Sequence, residues 1–172
     1  MATIRTSAPR RSSRSSRRAA MAALFAGAGI VLTPLTAQAA AAASSATVAA
    51  PAAAPTATAQ VAVDTALAQR GDPYVWAAAG PDSFDCSGLT QYAYAAAGVR
   101  LPHSSQMQST MGTPVARANL QPGDLVFFYS PVSHVAMYIG NGQIVHAPTT
   151  GDVVKVTNLD YMSGYNSARR IG

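Results

Sequence analysis

The chain has one cysteine, Cys86, three histidines, His103, His134 and His146, and no glutamate. A thiol becomes a nucleophile when it ionises or when a neighbouring base takes its proton, and imidazole is the side chain whose basicity suits that task near neutral pH. Cys86 with a histidine is therefore the minimum set for thiol catalysis, a nucleophile and its base, and His103, His134 and His146 are the candidates for the base. Cysteine plus two histidines is also a known zinc-binding set. None of these residues stands at the close spacing of a C-x-x-C or H-x-x-x-H pair, so a metal-free, cofactor-free site is expected. A lone cysteine is often only a small buried hydrophobe, and the element that carries it must decide.

Pro81-Asp82-Ser83-Phe84-Asp85 is turn-like and puts Asp85 in an N-cap position. From Cys86 to Ala97 the residues are good helix formers, with Leu89, Tyr92, Ala93 and Ala96 at helical spacing and Gly98 where a helix would end. The thiol is thus expected in the first turn of a helix. Unpaired backbone N–H groups there stabilise a thiolate, lower its pKa, and can hold the oxyanion formed when sulfur attacks a carbonyl. Asp85 opposes the thiolate unless its carboxylate turns away to cap the helix or to face substrate.

His134 opens the apolar run His134-Val135-Ala136-Met137-Tyr138-Ile139, and His146 closes Gln143-Ile144-Val145-His146; Gly140-Asn141-Gly142 between them signals a hairpin. Side chains alternate faces along a strand, so register decides whether the two rings meet. A plain two-residue turn at Asn141-Gly142 sets Met137 against His146 and turns the histidines to opposite faces. An odd loop or a bulge sets Ala136 against His146 and makes the histidines diagonal neighbours on one face. A paired-histidine site therefore predicts the odd loop or the bulge. His103, in Leu101-Pro102-His103-Ser104, is expected at a pocket rim or exposed.

Further from the site, residues 1–39 read as a secretory signal peptide: six arginines in the first 18 residues, an apolar stretch from Ala19 to Leu35, and Ala37-Gln38-Ala39 as cleavage site. The apolar stretch is short and Ala/Gly-rich for a membrane span, so membrane contact is expected only in transit. The formal net charge of +5 becomes −1 once those six arginines are subtracted, which leaves no basic surface to suggest a nucleic-acid partner. Residues 40–60, rich in Ala, Pro and Thr, read as a flexible linker, and residues 61–172 as one domain with a modest core, taken to be monomeric.

The ordered segments Gly71-Asp72-Pro73-Tyr74-Val75-Trp76, Phe84-Asp85-Cys86-Ser87-Gly88-Leu89, Leu101-Pro102, Leu120-Gln121-Pro122-Gly123-Asp124-Leu125-Val126-Phe127-Phe128, Ser133-His134-Val135-Ala136-Met137-Tyr138-Ile139-Gly140 and Ile144-Val145-His146-Ala147 resemble the NlpC-type peptidoglycan endopeptidases, papain-like cysteine enzymes. The resemblance implies an α+β fold whose helical N-terminal half carries the cysteine and packs on an antiparallel sheet carrying the histidines. It implies a secreted, wall-acting hydrolase of peptidoglycan stem peptides, cutting the bond from the γ-carboxyl of D-glutamate to a diamino acid. Cys86 then matches the nucleophile, His134 the base, and His146 the residue that orients His134. Tyr74 matches a tyrosine beside the nucleophile, and Asp85, Ser87, Ser104 and Ser105 match positions lining the substrate pocket. Two departures bear on the substrate: Ala77-Ala78-Ala79 stand where the family often has glycines, and His103 where it often has arginine. An N-acetylmuramoyl-alanine amidase of the cysteine/histidine type and a catalytically silent wall-binding domain are the alternatives.

Overall fold

A computed structural model describes residues 54–172. The expected signal peptide, 1–39, and most of the expected linker, 40–60, lie outside the described residues. The fold begins earlier than the linker boundary at residue 60: helix α1 spans Ala57–Ala68, with the Thr56 hydroxyl accepting the Ala59 N–H at its N-terminus. Alanine-rich composition suits a tether and a helix alike; here Thr56 supplies the cap, and Ala62, Val63 and Ala66 are buried on the face that packs on the next helix.

Helix α2 spans Cys86–Ala96, and Gly98 follows with φ of 81°, the left-handed conformation expected just past a helix end. One turn of helix, α3, covers Ser105–Gln108. Six antiparallel strands follow, β1 (Thr113–Pro114), β2 (Leu125–Phe128), β3 (His134–Gly140), β4 (Gln143–His146), β5 (Lys155–Asn158) and β6 (Tyr165–Arg170), in the sheet order β1-β6-β2-β3-β4-β5. The α+β class and its division into a helical half and a histidine-bearing sheet are as expected.

Strand alternation divides the core in two. Leu125, Phe127, Val135, Met137 and Val145 point to the helices, where Phe84, Leu89, Ala93 and Tyr94 meet them; Val126, Phe128, Ala136 and Ile144 form a second cluster with Leu159 and Ala168 on the opposite face. Both faces of β2 are thus covered, which is why Leu125-Val126-Phe127-Phe128 is apolar throughout. Fully burying such side chains stabilises the fold by about 1.5–3 kcal/mol each.

The Pro122-Gly123-Asp124 turn locks the helices to the sheet. A Cβ on Gly123 would lie 2.5 Å from the Ala59 Cβ of α1, and the Gly123 carbonyl accepts the Tyr94 hydroxyl at 2.6 Å. Asp124, buried, receives both Nε and Nη2 of Arg170 at 2.8 and 2.7 Å and the Gln121 N–H at 2.8 Å. These paired bonds satisfy a carboxylate that would otherwise be costly to bury.

Candidate active site

Asp85 makes the first turn of α2. Its backbone is extended and its Oδ1 accepts the Gly88 N–H at 2.7 Å and the Ser87 hydroxyl at 3.0 Å. The Leu89 N–H goes to the Asp85 carbonyl, so the N–H groups of Cys86 and Ser87 stay available to the sulfur. Gly88 is required for close approach: a Cβ there would lie 2.1 Å from the Ala78 carbonyl oxygen. That contact holds the Tyr74–Ala79 segment against the helix start, helped by the Asp85 N–H bond to the same oxygen at 2.8 Å.

The Cys86 thiol is pushed above its ordinary pKa, first by burial and also by the Asp85 charge; backbone hydrogen bonding from Val135, Ser87 and Cys86 itself pulls the other way. The helix-start argument from sequence expects the opposite direction. The amides do favour the thiolate as expected, but desolvation outweighs them. The Val135 contribution also places the sulfur against the backbone of β3, one residue from His134.

The histidines meet. Strands β3 and β4 pair Met137 with Val145 and Tyr138 with Ile144, then Gly140 with Gln143, leaving Ile139 as a bulge. Extending that register by one residue sets Ala136 against His146, the arrangement a shared histidine face requires. Asn141 and Gly142, with φ of 51° and 71°, form the tight turn. His134 Nε2 lies 3.0 Å from His146 Nδ1, and the Phe128 ring packs 5.8 Å from that of His134, centroid to centroid. Both imidazoles are lowered to about 4: His134 by burial and then by His146, and His146 by burial and then by Lys155, which outweighs the opposing Asp152.

The bond between the rings settles their useful tautomers. For His134 to accept a proton at Nδ1, its own proton must sit on Nε2 and be donated to His146 Nδ1. His146 then carries its proton on Nε2, a buried atom with no partner among the described residues. Such a pair can take a proton from a thiol, hold the resulting imidazolium in fixed orientation, and return the proton to a leaving amine. Among the described residues no three His, Cys or Asp side chains gather as a metal-ligand set.

The thiol opens into a cleft of about 370 Å³ whose walls include Asp85, Ser87, His103, Ser104, Ser105 and Trp76. Four of the five pocket residues expected from sequence are therefore together. The fifth, Tyr74, stands behind them, half-buried and near enough to Cys86 and Asp85 for both charges to raise its hydroxyl pKa after burial. Ser104 also caps α3 through the Met107 N–H. His103 does more than line a rim: its Nε2 lies 2.8 Å from Asp85 Oδ2. Buried Gln108 fixes this loop by donating to the Ser87 and Pro102 carbonyls at 3.1 and 2.8 Å. Neither the His103–Asp85 pair nor the Gln108–Ser87 bond has a signal in local sequence, because they join residues 18 and 21 positions apart.

A thiol at a helix start beside a strand-borne histidine pair, on an α+β scaffold, defines a papain-like cysteine peptidase fold. The chain belongs to the NlpC/P60 family, whose model matches residues 71–170. It is 46% identical over 112 residues to a protein of Corynebacterium glutamicum named a probable endopeptidase, across 65% of this chain and 54% of that one. It is 39% identical over 124 residues to the gamma-D-glutamyl-L-lysine dipeptidyl-peptidase of Bacillus cereus, across 67% of this chain and 37% of that one. The chain thus spans about half the length, or less, of these curated relatives. Among solved structures it matches RipD of Mycobacterium tuberculosis, a non-catalytic NlpC/p60 domain protein adapted to peptidoglycan binding, with 34% identity and a TM-score of 0.60 over 66% of this chain and 97% of that one.

Proposed function

We infer that the protein is an exported peptidoglycan hydrolase that cuts the amide bond between the γ-carboxyl of D-glutamate and a diamino acid. Cys86 is the nucleophile, His134 its base and His146 the orienting residue. The observation that carries this reading is the 3.0 Å bond between His134 Nε2 and His146 Nδ1 beside a thiol at a helix start. The name of the Bacillus cereus relative supports the substrate. The arginine-rich, apolar N-terminal segment supports export to the wall.

With the thiol raised and the imidazole lowered, the site rests as neutral thiol and neutral imidazole. His134 Nδ1 takes the Cys86 proton as sulfur attacks the amide carbon. The tetrahedral oxyanion is held by the Cys86 and Ser87 N–H groups, which are fixed before the reaction begins. His134 then protonates the departing amine, and water, activated by the same imidazole, hydrolyses the thioester. Asp85, Ser87, His103, Ser104 and Ser105 form the wall on which the acyl side of the substrate rests, with Tyr74 behind the thiol.

RipD makes a silent wall-binding domain the reading to beat. Digestion of purified muropeptides, read by mass spectrometry beside Cys86→Ala, decides. New fragments with a free amine on the diamino acid, absent with Cys86→Ala, are expected. New glycan bearing a free lactyl carboxylate and a free amine on alanine would indicate the amidase instead, and intact muropeptides the silent domain.

A further inference from the structure

The cleft beside the thiol carries charge of one sign. Among the described residues that form its wall, Asp85 is the one carboxylate, and there is neither lysine nor arginine. The other polar groups of the wall are neutral: the hydroxyls of Ser87, Ser104, Ser105 and Ser133, and the Gln106 amide.

His103 is the one wall residue able to supply a positive charge, and it is already committed. Its Nε2 lies 2.8 Å from Asp85 Oδ2, while Asp85 Oδ1 accepts the Gly88 N–H and the Ser87 hydroxyl. A carboxylate only accepts, so Nε2 holds the proton of this bond, and the neutral ring offers a lone pair at Nδ1. Nδ1 makes no hydrogen bond to the described residues. Neutral, the ring leaves the charge of Asp85 uncancelled; protonated, it only balances the carboxylate it is bonded to. In neither state does the cleft hold a net positive charge. The Asp85 charge is felt across the site, since it helps to raise both the Cys86 thiol and the Tyr74 hydroxyl.

The geometry of the substrate brings a second carboxyl group into this field. In a γ-linked glutamyl residue, the acyl carbon that meets Cys86 stands four bonds from the carbon of the α-carboxyl group, about 5 Å at full extension. The α-group therefore enters the cleft together with the acyl carbon. As a free acid it is a carboxylate, set near Asp85 with no lysine or arginine to receive it. As a primary amide it is neutral, and its N–H groups can donate to His103 Nδ1 and to the serine oxygens.

We propose that the thiol's cleft selects stem peptides whose γ-linked D-glutamate is amidated at its α-carboxyl group, and that His103, held by Asp85, sets this preference. The assignment rests on the endopeptidase reading above.

The test gives the full-length chain two synthetic γ-D-glutamyl peptides that differ only at the α-carboxyl group, free acid or primary amide. It reads kcat/KM for each at pH 8, where imidazole is ordinarily neutral. The amide is expected to be favoured roughly tenfold, the effect of a like charge about 12 Å away at an effective dielectric of about 20. Because one charge acts on another, the ratio should shrink as salt is raised. It should persist in His103→Gln, which adds no charge, and fall toward one or below it in His103→Arg, which cancels the charge of Asp85. Both peptides share one catalytic site, so a general loss of activity in either variant cancels in the ratio. Equal rates or a preference for the acid in the wild type overturn the proposal alone, as does a ratio indifferent to salt or unchanged in His103→Arg. Cleavage of neither peptide overturns the endopeptidase reading and this proposal with it.

Discussion

Whether the thiol rests protonated is open to direct measurement. Burial pushes Cys86 upward and His134 down to about 4. An ordinary thiol and an ordinary imidazole, at about 8.5 and 6.5, already stand about 2 units apart, about 2.7 kcal/mol against moving the proton at rest. Burial raises the one and lowers the other, so the gap widens and the neutral pair predominates. The perturbation is pH, and the assay is the rate of iodoacetamide alkylation followed by intact mass; Cys86 is the chain's single cysteine, so the rate reports one thiol. At pH 7 the rate should be a few per cent of its alkaline plateau, with a midpoint above about 8.5. A plateau already reached near pH 6, as for thiolates with a pKa of about 3.5–5, would refute the neutral pair and the weight given to burial.

Neutral His134 is the working base, so kcat/KM for the stem peptide should fall as pH drops through about 4 rather than through 6.5. At pH 5.5 that leaves about 97% of the base in its working form, against about 9% for an ordinary imidazole; half the activity lost near pH 6.5 would contradict it. Both histidines bind protons less readily folded than unfolded, so the melting temperature should decline as pH falls from about 6.5 toward 4, and a flat profile would count against their burial. Gly88→Ala should lower the melting temperature. Alanine normally favours a helix by about 1 kcal/mol over glycine, but here its Cβ would meet the Ala78 carbonyl oxygen at 2.1 Å. The expected loss is about 1–3 kcal/mol or more, and an unchanged or raised melting temperature would refute the close approach.

Local signals carried the helix at Cys86 and the hairpin at Asn141 because each is decided within a dozen residues: a cap and a left-handed glycine for one, a turn and alternating apolar residues for the other. The start of α1 is not legible in the sequence, since residues 57–60 share the Ala- and Thr-rich composition of those before them and become helix through packing on α2. The direction of the Cys86 shift differs from the helix-start expectation for a related reason. The helix-start amides are visible in sequence, whereas the burial that outweighs them comes from β3 folding over the thiol. Lys155 had no signal at all: its place beside the histidines follows from β5 pairing with β4, and strand partners across a sheet are not written in either strand.

The bulge at Ile139 makes the hairpin tip a parity device. Were Gly140 to stay opposite Gln143 and Ile139 to pair with Ile144, Met137 would stand against His146 and the two histidines would fall on opposite faces of the sheet. Gly140, at φ of 98°, sustains the backbone that keeps Ile139 out. A larger residue at Gly140 could therefore silence the site from a position that touches none of it. Here a surface turn, ordinarily the part of a fold most forgiving of altered length, sets on which side of the sheet the chemistry takes place.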